Sequence, residues 1–312
     1  HMKDALYNNA KAGVASRAAD LLQQLSLAEK VSQLRNLVTV HHDFYRLDGD
    51  AVVVGEELLR HLRGDRAAGM VQCLTRCDFW TGRTPADGFN RRIAARVANT
   101  VQKAAIAGNR WGIPLLLFDD CRHGVPGIGT TVFPCGVAQA SAWDDRLQME
   151  IGRVIGRQMR SVGIHVSVGP NLNLARDPRW SRMEETYGED PFLAGKLGCA
   201  LIRGLQQPME NGVLTAVAAM HFVAAMGDAE NGLDARGARI GRGTLAEVFR
   251  PFGMAAAAGA RAAMASYTAI DGVPCHANAE LLTEMLRNRY GFTGIIESDA
   301  NGVISLSTEH RL

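Results

Sequence analysis

Five residues of the 312-residue chain are of the types that hold a neutral, polyhydroxylated ligand: Asp120, Arg182, His221, Tyr267 and Asp299. Carboxylates and a guanidinium make paired hydrogen bonds with adjacent hydroxyls, and an aromatic ring covers the face of a sugar. Trp143 and Trp180 are the available aromatic platforms, with Trp143 read as packing at a helix start. No phosphate loop accompanies these residues, because Gly127 and Gly129 lack the third glycine and the following helix pattern of a dinucleotide turn. Carboxylates at a sugar site point to glycoside cleavage, in which one ionised carboxylate attacks the anomeric carbon and a protonated partner assists the leaving group.

The elements that must gather these residues are visible in the apolar pattern. From about residue 112 onward, short β-rich runs alternate with stretches of helical period, as in a parallel sheet with crossover helices. The expected strands are 70–74, 113–118, 164–168, 213–219, 262–267 and 294–298. Helices are expected from Ser26 and Glu29 over 28–37, from Ser141 and Asp144 to Gly163, over 192–206, after Thr244 and Glu247, and over 281–291. Asp119 and Asp120, the run 171–182, His221, Tyr267 and Asp299 all fall where a strand ends. A closed β/α barrel gathers its active site at that face, so the α/β class with a TIM-like (β/α)8 barrel is preferred over an open doubly wound sheet.

Composition narrows the function classes. Hydrophobic residues make up 47% and charged residues 21%, enough apolar material for a large core and too much for a disordered chain. A formal charge of +2 leaves no electrostatic footprint for nucleic acid or an anionic membrane, and no apolar run of membrane-spanning length occurs. His1 and Met2 read as an expression-tag scar, with 3–312 as one barrel domain, and localisation stays open among cytoplasmic, periplasmic and secreted. The six cysteines read as buried free thiols, since Cys73 and Cys77 stand four apart rather than at a paired-ligand spacing. His41, His42 and Asp43 read as a solvated loop, so neither a metal nor a cofactor is expected.

The segments TVFP (131–134) and ARDPRWSRMEETYGEDP (175–191) resemble the signature of glycoside hydrolase family 3. Further segments agree in order: LSLAEKVSQL (25–34), FDDCRHG (118–124), HF (221–222), SY (266–267), DGVP (271–274) and GFTGIIESD (291–299). The resemblance implies the N-terminal catalytic barrel of a retaining, exo-acting β-glycosidase that hydrolyses β-linked glucosides or xylosides, on an oligosaccharide or an aryl glycoside. It makes Asp299 the nucleophile of a covalent glycosyl intermediate and places Asp120, Arg182, His221 and Tyr267 around the sugar. The residues themselves suit those roles: an arginine and a histidine near Asp299 favour its ionised form. The bland readings are a turn cap for Asp299, an ion-pair network for Arg179, Arg182 and the loop carboxylates, and a loop brace for His123.

Three features depart from the family pattern. Met220 stands before His221 where the family commonly has lysine, which removes a cationic donor and should raise the pKa of the nucleophile. Glu297 lies two residues before Asp299, on the same face of a strand, where the family more often has an apolar residue. The chain stops at Leu312, so the barrel is expected to be incomplete at the C-terminus, to need a complementary C-terminal segment or a homo-oligomeric partner, and to leave the acid/base residue unassigned. The alternative function is a carbohydrate-binding pseudoenzyme, or an inactive split half of such an enzyme.

Overall fold

Parallel strands covered on both faces lose the apolar–polar alternation of half-exposed strands, and two strands in this chain, at 166–171 and 262–265, are buried throughout. The computed structural model describes residues 5–38, 44–78, 80–84, 90–210 and 212–312, so His1, Met2, His41, His42 and Asp43 lie outside the described residues. The contacts fall into two compact units, His1–Leu117 and Phe118–Leu312.

In the first unit, α1 (Val14–Gln24) and α2 (Leu27–Gln33) precede β1 (Asn36–Val38), the antiparallel pair β2 (Tyr45–Asp48) and β3 (Ala51–Val54), α3 (Glu56–Leu62), β4 (Met70–Gln72) and α4 (Arg91–Gly108). Ser26 caps α2 through a reciprocal capping box with Glu29. That helix stops at Gln33 and the chain turns into β1, which pairs in parallel with β4. The first strand therefore lies inside the stretch expected to be helical; three residues are too few to declare a period of two against the helical spacing of Val31 and Leu34. Glu29 also receives Arg110 at 2.6 and 2.9 Å and the Trp111 indole at 2.9 Å. The Arg110 contact leads in pulling its pKa down to about 2.

The strand β5 (Leu116–Asp119) begins in the first unit, where the Leu116 N–H donates to the Gly69 carbonyl at 2.9 Å. Its second half opens the second unit, followed by α5 (Gly136–Ala140), α6 (Asp145–Val162), β6 (Val166–Asn171), α7 (Pro191–Leu205), β7 (Val217–Val223), β8 (Gly237–Ala238), α8 (Gly241–Ala257) and β9 (Ala262–Ala265). Then come β10 (Ala269–Ile270), β11 (Val273–Pro274), a π-helix at Glu280–Arg289, β12 (Ile295–Ser298) and α9 (Gly302–Thr308). Strands β5, β6, β7, β9 and β12 are parallel neighbours in chain order, while β8, β10 and β11 form a small separate sheet. This succession is that of an incomplete TIM-like barrel. Every residue of β6 and β9 is buried.

Local chemistry sets the helix ends. Asp144, not Ser141, caps α6 by accepting the N–H groups of Arg146 and Leu147, and Gly163 closes it in the left-handed conformation at φ 88°. Asp190 caps α7 with Pro191 in its first turn. Between these helices, Gly152 and Gly204 meet backbone to backbone, an approach that leaves no room for a Cβ. Helix α8 starts at Gly241, earlier than Thr244: Asp271 accepts the N–H groups of Ile240 and Gly241 at 3.0 Å, and Glu247 is engaged by Arg176 at 2.8 Å rather than by a cap. Trp143 is 76% exposed, against its reading as a packing residue. No described helix is long and apolar enough to cross a membrane.

Candidate functional site

The C-terminal ends of β5, β6, β7, β9 and β12 carry Asp119 and Asp120, Asn171, His221, Tyr267 and Asp299. The register explains their proximity: Asn171 lies opposite His221, and Ser298 lies opposite Ala265, two residues before Tyr267. Asp299 leaves β12 at the turn into α9. Its backbone carbonyl accepts the Gly302 N–H at 2.9 Å, and one side-chain oxygen, Oδ1, accepts the Ala300 N–H at 2.7 Å. The turn thus uses the carbonyl and one carboxylate oxygen. The other, Oδ2, is buried and has no hydrogen-bond partner among the described residues. Beside it, the Tyr267 hydroxyl donates to the Ala300 carbonyl at 2.7 Å.

Charges around Asp299 oppose each other. Burial dominates and raises its pKa to about 6; Tyr267, the Ala300 N–H and Arg182 work against burial, and Asp120 adds to it. The rise expected from Met220 is thus present in direction, but burial rather than a missing ammonium leads it. Arg182 favours the ionised form as expected, but with Tyr267 and the backbone it does not overcome burial. His221 cannot help, since burial, then Arg122 and Arg182, push its pKa well below the usual histidine value and leave it neutral. Glu297 is raised further, to about 8, by burial and then by Asp299 and Asp120, and its Oε1 has no partner among the described residues.

The loop after β6 supplies a buried ionic core. Glu185 Oε2 accepts Arg122 Nη1 at 2.9 Å and Asn171 Nδ2 at 3.1 Å, while Oε1 accepts Arg182 Nε at 3.1 Å. Arg182 also approaches Asp234 at 3.6 Å. Burial disfavours its charge, but Glu185, Asp234 and Asp299 together raise its pKa. Asp234 in turn accepts the Trp180 indole N–H at 2.6 Å, and Trp180 is 1% exposed. Trp180 is therefore a structural support for the arginine loop rather than an open platform. Arg179 stays outside this core, bound to Asp177 at 2.7 Å.

The structure thus brings Arg182, Tyr267 and Asp120 within electrostatic range of Asp299, with His221 against Arg122 at 3.4 Å. His123 braces its loop through its backbone carbonyl, which accepts the Phe133 N–H at 2.8 Å. Sequence reading missed Arg122 and Asp234 and took Glu185 only as a loop carboxylate. The available signal was an arginine inside FDDCRHG (118–124), where a strand end makes burial the default and a buried cation demands a partner. Three loop carboxyls are engaged elsewhere: Glu185 is committed to three donors, and Asp228 and Glu230 face Arg176 and Arg239. Among the described residues, no three His, Cys, Asp or Glu side chains are grouped as a metal requires.

Comparison with known proteins bears on the family and the fold. The family model described as the glycosyl hydrolase family 3 N-terminal domain matches residues 27–312. A putative beta-xylosidase from Formosa agariphila is 32% identical over 308 residues, covering 96% of this chain and 38% of that protein. Among solved structures, a β-glucosidase from Erythrobacter marinus matches with a TM-score of 0.83 and 28% identity, covering 99% of this chain and 39% of the other. The Listeria innocua β-glucosidase in complex with glucose matches with a TM-score of 0.77 and 27% identity, over 95% of this chain and 38% of the other. The chain thus spans less than two fifths of the length of these relatives. On the family match, which takes in all the parallel strands described above, the chain belongs to glycosyl hydrolase family 3.

Proposed function

We propose that this chain carries the glycone site and nucleophile of a retaining, exo-acting β-glycosidase for β-linked glucosides or xylosides. The observation that carries the reading is the Asp299 carboxylate: one oxygen is anchored by a backbone N–H and the other is buried with no hydrogen-bond partner among the described residues, at the end of a parallel strand and beside Tyr267. A nucleophile needs that asymmetry, because a fixed carboxylate with one unsolvated oxygen attacks without first shedding hydrogen bonds. Oδ2 forms a bond to the anomeric carbon as the glycosidic C–O bond breaks, and its electron pair leaves with the aglycone oxygen, which takes a proton. Water then attacks the same carbon, loses a proton and releases the carboxylate. Arg182 offsets charge at Asp299, and Asp120 is placed to clamp ring hydroxyls. The relatives supply the substrate class: a putative beta-xylosidase in Formosa agariphila and β-glucosidases among the solved structures.

The test is mass spectrometry of the chain after exposure to 2-fluoro glucosides and xylosides bearing a good leaving group. The expected result is one fluoroglycosyl adduct, mapping to Asp299 and absent from D299N. Sugar binding without any adduct would favour the carbohydrate-binding reading, and an adduct on another carboxylate would overturn the nucleophile assignment. Turnover of unactivated substrate is expected to be low without a placed general acid, a group worth about two to four orders of magnitude.

A further inference from the structure

Arg122 has no role in the chemistry above, yet it is among the best-buried cations of the second unit, with a side chain 14% exposed. Its stem runs over Gly169, where any side chain would collide with the Arg122 Cγ. Glu185 holds Nη1 from one side at 2.9 Å, and the same Nη1 lies 3.4 Å from His221 Nδ1 on the other. A guanidinium carries only donors and keeps its proton at every physiological pH. The contact therefore has one possible polarity: Arg122 donates, and Nδ1 accepts through its lone pair. The buried ring lies near two guanidiniums, Arg122 and Arg182, and takes up no second proton, so its single proton is on Nε2.

We propose that Arg122 is a positioning residue for substrate recognition, fixing His221 as the Nε2–H tautomer so that the ring meets the sugar as a hydrogen-bond donor. The inference rests on the reading that His221 faces the glycone. It also answers the loss at Met220, which is fully buried: positive charge reaches this ring from the loop after β5 rather than from the preceding residue of β7. The specificity that follows is for a substrate oxygen presenting its lone pair at this point. Asn171, the register partner of His221, donates to the same Glu185 oxygen as Arg122, so ring and guanidinium are held by one frame.

The test begins without sugar. In the full chain labelled with 15N-histidine, long-range proton–nitrogen correlation reports the tautomer of each of the nine histidines, and loss of one pattern in H221N assigns His221. The expected pattern is an unprotonated Nδ1 and a protonated Nε2, unchanged from about pH 5 to 8, where an ordinary histidine titrates. R122M is expected to give mixed tautomers or a titrating ring, and R122K, still a pure donor, to restore the wild-type pattern. An Nδ1–H pattern in the wild type, or an R122M pattern identical to it, overturns the proposal; if R122M does not fold, the wild-type and R122K spectra decide. Calorimetry with isofagomine then separates the two claims. Binding weakened about tenfold or more in R122M and recovered in part by R122K supports recognition through His221. The fixed tautomer with no isofagomine binding by the wild type removes the sugar reading while leaving the Arg122–His221 geometry in place.

Discussion

Replacing Glu297 by glutamine should stabilise the protein, and increasingly so as pH rises. The carboxyl is half-buried on β12, has an oxygen without a partner among the described residues, and faces the charges of Asp299 and Asp120. Its pKa moves from 4.5 to about 8. A carboxyl raised in this way favours folding through its protonated form: that contribution is complete below pH 4.5 and disappears as pH climbs through 8. At pH 7 the unfolded chain has already gained the hydration of the ionised group, while the folded protein still holds the proton. The linkage penalty is then on the order of 3 kcal/mol, approaching about 5 kcal/mol above pH 8, and close to zero at pH 4. Glutamine preserves shape and hydrogen-bonding capacity and removes the titration. Urea unfolding of wild type and E297Q at pH 5, 6.5 and 8 reads the effect directly, as a midpoint difference that reaches about 1 M or more at neutral pH. A difference that stays flat with pH, or shrinks, would show that Glu297 is ionised and paired in the native protein. Because Glu297 is uncharged near pH 6, E297Q should leave the titration of Asp299 where it is.

Two further outcomes follow from the same charges and contacts. Fluoroglycoside labelling of Asp299 should rise through about pH 6 as the carboxyl ionises, and a profile already flat from pH 4 upward would mean that Arg182 and Tyr267 outweigh burial. W180F strips Asp234 of its 2.6 Å indole donor and puts a smaller ring in a fully buried site, so denaturant unfolding should show a loss of about 2–4 kcal/mol, and a loss below about 1 kcal/mol would show that neither the indole hydrogen bond nor its packing supports the arginine loop.

Much of the fold was open to reading because a parallel sheet writes long buried runs between capped helices. The strand-end placement of Asp120, Tyr267 and Asp299 followed from the apolar pattern alone, and their grouping with Arg182 followed from barrel geometry. Strand β1 was hidden because Asn36–Val38 is shorter than the window in which a period can be judged. Cap positions shifted where a tertiary partner competed, as Arg176 does for Glu247. Arg122 escaped notice for a different reason. Its significance lies in two contacts, to Glu185 and His221, 63 and 99 residues further along the chain, and no local spacing announces them. Trp180 likewise shows itself as an indole-to-carboxylate support only once Asp234 is seen 54 residues away.

Glu185 joins Arg122 from one loop to Arg182 and Asn171 from the next. A single acidic side chain is thereby shared by neighbours that would otherwise be free to diversify one at a time. Exchange of Glu185 or of either arginine strands the rest with unbalanced charge, and exchange of Asn171 takes a donor from Glu185, so successful variants at these positions should arise as matched sets. Directed evolution toward a different sugar would do better to randomise the quartet together than to scan it singly.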